Sequence, residues 1–369
     1  MHRQLLNLEA AIAQARIPRE LPFLRAERAS VLARLGQVDE ARAEVAGLRA
    51  LPETPSNAVL NAWLWLTEGL VDYYECLNAR ARDRLRRAHA LACSVKAPHI
   101  QALSAAWMAH CDFRAQDYPS MVEHADLALS QAAPDHHSAR ARACLVLACA
   151  THFAGREDLA QPWYSRARVH AAAEGDGATL SAVIYNISLL RLIEVRLADL
   201  FGTRDESAVR RVQLGMESSI CLDQSLRIRA LSHHTPMQRA QVLTISGDFA
   251  TALALYDEHM AGALREGLTG TECLYQADRA WCLLQLGRSD EALAAARSAD
   301  STLMAVTEPE ERVITHAVLH KVLSRLGLDA LAAQHQQQAD SGYRTFREAS
   351  HRLQTLVVQA RLERHLLRA

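Results

Sequence analysis

Leu283 to Ala299 reads LLQLGRSDEALAAARSA. The stretch is the end of one helix, a tight turn at Gly287, and the start of a second helix. Glycine leaves a helix through the left-handed region at no Cβ cost. The alanines behind it, Ala292 and Ala299, recur on one helical face, where small side chains let a second helix approach closely. The pattern returns at Leu323-Ser324-Arg325-Leu326-Gly327 with Ala332 and Ala339, and at Leu243 to Gly247 with Ala252. It returns again around Gly36, with Ala41, and around Gly155, with Ala160 and Ala167. Two further copies lack the glycine: Cys76 precedes Ala81 and Ala88, and Gln116 precedes Met121 and Ala128. Seven residues ahead of the turn stands Ala29, Gly69, Ala109, Ala148, Ala240 or Ala280. Turn positions 36, 76, 116, 155, 247, 287 and 327 are spaced by about 40 residues, apart from one gap between 155 and 247. Self-similarity at such a period marks a stacked repeat protein, in which each unit buries its apolar face on its neighbours.

The motif, small–(6)–Gly–(4)–Ala–(6)–Ala, resembles the tetratricopeptide repeat family over roughly residues 21 to 345. Its period exceeds that family's 34 residues, so each helix is expected to be about a turn longer. The long period is similar to bacterial MalT-like and sensor-domain arrays, and it also suits HEAT or armadillo repeats. The resemblance implies an all-α, right-handed α-solenoid of eight antiparallel helix pairs. A short helix over 1–20 precedes the array, and a capping helix over 346–369 follows it. The gap is filled by an irregular unit at 175–231, with a long apolar first helix, a turn at 201–205 and a second helix reaching Leu231. Its extra residues are expected to interrupt the regular superhelix. Asp39, Asp248 and Asp290 fall where a short acceptor caps the next helix. In the terminal helix, Leu353, Leu356, Val357, Ala360 and Leu367 are expected to cover the last pair, with Arg344, Arg347, Arg352, Arg361, Arg364 and Arg368 on the wet side.

The chain has 369 residues, is 50 % hydrophobic and carries a net charge of −1. That leaves no global field to draw nucleic acid or an anionic membrane. The apolar patch from Ala182 to Leu200 is broken by Asn186, Arg191, Glu194 and Arg196, so no membrane span is expected. No signal peptide is read in Met1 to Leu6. The eight cysteines show no CxxC spacing. They read as buried free thiols of a cytoplasmic chain.

No phosphate loop, dinucleotide fingerprint or nucleophile elbow occurs. His316 and His320 have a zinc-compatible spacing, but HExxH needs a glutamate where Ala317 stands. The pairs His136-His137 and His233-His234 sit at turns and read as solvated. Glu308, Glu310 and Glu311 read as an ordinary acidic helix start. No catalytic residue, cofactor or metal ligand is assigned.

What remains is surface. The resemblance implies that first helices line a concave face on which peptides lie. By that register the groove positions are Arg34, Trp63, Leu66, Tyr73, Tyr74, His110, Phe113, Arg114, His152, Phe153, Gln241, Trp281, Gln285 and Arg325. Either these side chains pack between repeats, or they form an aromatic, arginine-bearing groove of the kind that carries binding hot spots. The family's carboxylate clamp needs Lys and Asn at set positions that this chain does not fill. The expected role is a non-catalytic scaffold or regulatory sensor that binds a protein or peptide, with homo-oligomerisation left open. The alternatives are the sensory half of a system whose diguanylate-cyclase-type or LuxR-type output lies elsewhere, and a cryptic enzyme.

Overall fold

The computed structural model describes residues 2–305 and 308–366. It contains 17 α-helices, and no strand occurs among the described residues. A first helix, α1 (Arg3–Gln14), precedes eight pairs: α2 (Leu21–Arg34) with α3 (Val38–Arg49), α4 (Ala58–Cys76) with α5 (Arg80–Ser94), α6 (Pro98–Arg114) with α7 (Tyr118–Gln131), and α8 (His137–Phe153) with α9 (Glu157–Glu174). There follow α10 (Gly177–Phe201) with α11 (Glu206–Leu226), α12 (His234–Ser246) with α13 (Phe249–Arg265), α14 (Glu272–Gln285) with α15 (Ser289–Thr302), and α16 (Pro309–Arg325) with α17 (Asp329–Gln359). The fold class is the expected one, an all-α solenoid built from helix pairs.

The small-residue code explains the pairing. Ala29, Ala109, Ala148, Ala240 and Ala280 are fully buried, as are Ala41, Ala160, Ala252 and Ala292 across from them. At Gly69 an added Cβ would lie 3.1 Å from Leu85, so this helix crossing admits little more than a hydrogen atom. Gly287 has φ +77°, the left-handed value the turn requires. Where glycine is missing, Gln116 takes that conformation at φ +58°. In the second pair the residue that does so is Leu77, at φ +50°, one position later than the period predicts, because α4 runs through Cys76. Asp248 caps its helix by accepting from Thr251 N at 3.2 Å. Asp39 and Asp290 do not cap. They lie inside the first turns of α3 and α15, where their charge faces the helix N-terminus.

The chain forms two compact units. Unit 1 holds Met1–Ile184, Leu222–Ala230 and Arg352–Ala369, and unit 2 holds Tyr185–Cys221 and Leu231–His351. The division falls within the irregular fifth pair, whose first helix has 25 residues while the other first helices have 13 to 19. Its second helix stops at Leu226, five residues short of expectation, and Arg227 and Leu231 take left-handed conformations beyond it. Among the described residues α10 alone has the length and apolar content of a membrane span. In unit 2 it serves as a packing helix: its Leu192 and Val195 join Val209, Val212 and Met216 of α11 and Val242 of α12 in one core.

The C-terminus departs from expectation. No separate helix begins at 346, because α17 continues unbroken to Gln359 and a 3-10 turn follows at Leu362–His365. Gly342 does not stop the helix. Val313 of α16 fills the space a side chain would need, 2.9 Å from an ideal Cβ. Leu353, Val357 and Leu362 are buried, and they fall in unit 1. There Arg364 Nη2 and His365 Nε2 each reach Asp126 Oδ1 of α7 at 2.6 Å, and Arg166 of α9 donates to Leu366 O at 2.8 Å. Leu367 and Arg368 lie outside the described residues.

Candidate ligand-binding surface

In unit 1 the inner faces of the first helices are closed over their own side chains. Tyr73 Oη and His110 Nε2 share a 2.6 Å hydrogen bond. Trp107 stands 5.7 Å and 5.8 Å from the rings of Tyr73 and Tyr74. The Arg142 guanidinium lies 3.9 Å from the centre of the Trp107 ring. Burial, reinforced by the charges of Arg142 and Arg114, holds His110 well below the ordinary imidazole value. Burial likewise raises the Tyr73 and Tyr74 hydroxyls. Arg34 is a buried structural cation: it pairs with Asp176 and donates to Gln4 Oε1 at 2.7 Å. His152 is buried and meets Tyr164 Oη of its own helix pair at 3.1 Å. Trp63 and Leu66 are buried as well, and Trp63 sits against His99 at 5.7 Å. Phe113 packs edge-on to Phe153 at 6.1 Å, and Arg114 is exposed. The structure thus brings Tyr73, Tyr74 and His110 together, in a packed cluster rather than along an open groove.

Unit 2 holds an open cavity of about 260 Å³. Leu200, Ile245, Phe249, Trp281 and Val318 supply its apolar walls, and Asp199, Arg204 and Lys321 supply charge. Arg196, Gln241, Trp281 and Lys321 each lie six residues ahead of a pair-closing glycine, at 202, 247, 287 and 327. Equivalent positions on α10, α12, α14 and α16 therefore share this surface, and Arg196, Trp281 and Lys321 line the cavity itself. Beneath it Arg196 grips Asp278 through two bonds of 2.7 and 2.5 Å and donates to Gln241 Oε1 at 2.9 Å. Tyr256 donates to the same carboxylate at 3.1 Å, and Thr244 joins Tyr256 at 3.3 Å. Lys321 Nζ and Arg204 Nη1 flank Asp199 at 3.6 and 3.4 Å. Arg325 reaches over Trp281 at 6.0 Å, while Gln285 is exposed. A fixed polar floor, apolar walls and mixed charge form a surface suited to binding, with orientation set by few groups.

The sequence singled out Gln241, Trp281 and Arg325 here but not Arg196 or Asp278. Arg196 stands in the pair where the period fails, so its register was hidden. Asp278 falls two positions before Ala280 on a face that reads as core.

No family model matches the sequence, and no curated protein matches it. Among solved structures the chain is similar to a Rap protein complexed with competence and sporulation factor. The TM-score is 0.56 at 11 % identity, over 94 % of this chain and 92 % of that one. The likeness to that protein is one of fold. The chain is also similar to the P58(IPK) TPR domain, with a TM-score of 0.32 at 15 % identity over 88 % of this chain and 83 % of that one. The tetratricopeptide resemblance, with its MalT-like subtype, rests on the repeat pattern of the sequence.

The turn histidines and the acidic start of α16 also have definite places in the fold. His136 and His234 are buried rather than solvated. His137 meets His170 at 3.1 Å and His233 meets His259 at 3.2 Å, each through Nδ1 atoms. His316 and His320 do not converge on one point: Nδ1 of His316 faces His335 Nδ1 at 2.9 Å, and Nδ1 of His320 bonds Ala332 O at 3.1 Å. Glu310 is buried instead of lying in a solvated helix start. Of the cysteines, Cys93 and Cys221 are exposed, which departs from the expectation of buried thiols throughout.

Proposed function

We propose that the chain is an interaction scaffold whose binding surface is the unit 2 cavity, and that it takes a segment of a partner peptide or helix there. The carrying observation is the cavity itself: about 260 Å³, open, and lined by inner-face residues of four first helices, with half-exposed Trp281 in its wall. A volume of that size suits one or two apolar side chains, with Lys321 and Asp199 placed to meet the backbone or charges beside them. The fold likeness supports the reading, since the similar Rap protein was solved complexed with a factor. In this reading the scaffold acts in signalling within the cytoplasm.

Peptide-library display on the full chain tests it. Enriched peptides should quench Trp281 fluorescence. Trp281→Ala, with helicity intact by circular dichroism, should weaken their binding by roughly tenfold or more, as expected for a central aromatic anchor. Peptides that bind the variant as tightly as the parent would place the surface elsewhere.

A further inference from the structure

Arg34, Arg142 and Arg196 are the fully buried arginines among the described residues, with 7, 3 and 3 % exposure. Two of them have a buried carboxylate: Asp176 for Arg34, and Asp278 for Arg196. Arg142, in unit 1, has none within ion-pair distance among the described residues. Its guanidinium covers the Trp107 face at 3.9 Å, and Nη2 lies 3.5 Å from Tyr74 Oη, the long limit of a hydrogen bond. Its Nε is buried without an acceptor. A ring face offsets part of the cost of dehydrating a guanidinium, but a buried cation ordinarily needs a counter-charge and acceptors for its N–H groups.

The side chain lines a partly enclosed polar cavity together with Arg34, Ser138, Thr179 and the carboxyl of Glu27, which burial and the charge of Glu174 push up to about 7, so that it is uncharged below that pH. The cavity measures about 10 Å³, close to the space one water-sized sphere occupies. Arg34 stands near Tyr74 too, but its charge is largely balanced by Asp176, which leaves Arg142 as the uncompensated cation. The Ser138 hydroxyl accepts from Gln4 Nε2 at 3.3 Å and keeps its proton to donate, whereas the Thr179 hydroxyl already donates to Asp176 at 2.7 Å. We infer that Arg142 anchors a buried site for a compact monoanion, taken up between α2, α4, α6 and α8. The cavity holds one water-sized sphere, so a halide needs a small outward shift of the walls and a carboxylate, the other source of the same charge, a larger one.

Crystals of the full chain soaked in sodium bromide should show an anomalous peak within hydrogen-bond reach of Arg142 Nε. The melting temperature should rise by a few degrees with chloride or bromide when ionic strength is held constant with gluconate. A parallel series in formate separates the sources: a rise with halide alone assigns a halide site, and a rise with formate as well assigns a carboxylate-accepting one. Arg142→Lys keeps the charge but removes the Nε donor, and should abolish the salt-specific rise. Arg142→Met should abolish both the rise and the peak. Should either variant fail to fold, the bromide map of the parent chain decides by itself. No peak at Arg142, or melting that is identical in all the salts, overturns the site.

Discussion

At the scale of single residues, burial decides which charges matter. Glu310 opens α16 with 8 % exposure and an Oε2 that has no hydrogen-bond partner. Desolvation is the main reason its carboxyl is pushed up from 4.5 to about 7, and Glu308 adds repulsion. The folded state therefore holds the proton more tightly than the unfolded chain does. This contribution is fully present below the unfolded value of 4.5 and is lost as pH rises through about 7. Glu310→Gln should flatten that fall. Denaturant melts across the interval should show parent and variant diverging by about 2–3 kcal/mol at pH 8, the variant being the more stable; parallel curves would show that Glu310 is solvated. A glutamate beside a proline at a helix start looks like dipole decoration in a sequence, because nothing local reveals what lies over it. Arg142 was equally opaque: within Ser138-Ala139-Arg140-Ala141-Arg142, neither arginine differs from a solvated neighbour until α6 is placed against α8.

Helices and turns were far more legible. Glycine and alanine at fixed offsets encode close crossings, so the limits of the first four pairs emerge within a few residues. The signal failed where glycine stood without its usual consequence. Gly342 carried no turn, because a glycine inside a helix costs only about 1 kcal/mol and here leaves room for Val313. The sequence pattern places a separate helix there, whereas α17 runs on through the segment and residues from 352 onward fall in unit 1. Leu353, 1 % exposed, is the deepest of these side chains. Leu353→Ala should cost about 2–5 kcal/mol and lower the melting temperature, with protection from hydrogen exchange falling first in α7 and α9. If exchange there is unchanged, the segment is a docking arm and not part of the core.

On the scale of the whole molecule, repeats confer stability by local contacts. The candidate site was half legible: Gln241, Trp281 and Arg325 follow from register, but the floor that fixes them needed the irregular fifth pair to be phased. That floor carries the clearest prediction. Asp278→Asn leaves Arg196 buried without its counter-charge, which should cost about 3–5 kcal/mol. Hydrogen-exchange mass spectrometry should find the loss concentrated in α10, α12 and α14 of unit 2, with α4 to α8 of unit 1 keeping their protection. Uniform loss along the chain would mean a single cooperative block.

Unit 1 contains residues from both sides of unit 2 in the chain order. During synthesis its first part, through Ile184, leaves the ribosome well before Arg352 is added. At ordinary elongation rates the interval is roughly ten seconds to half a minute. Throughout that time the surface that Leu353, Val357 and Leu362 later occupy is uncovered, and Asp126 has neither Arg364 nor His365 beside it. The nascent first half is then a natural client for a chaperone and a natural target for a protease, and it is completed only after unit 2 has been made.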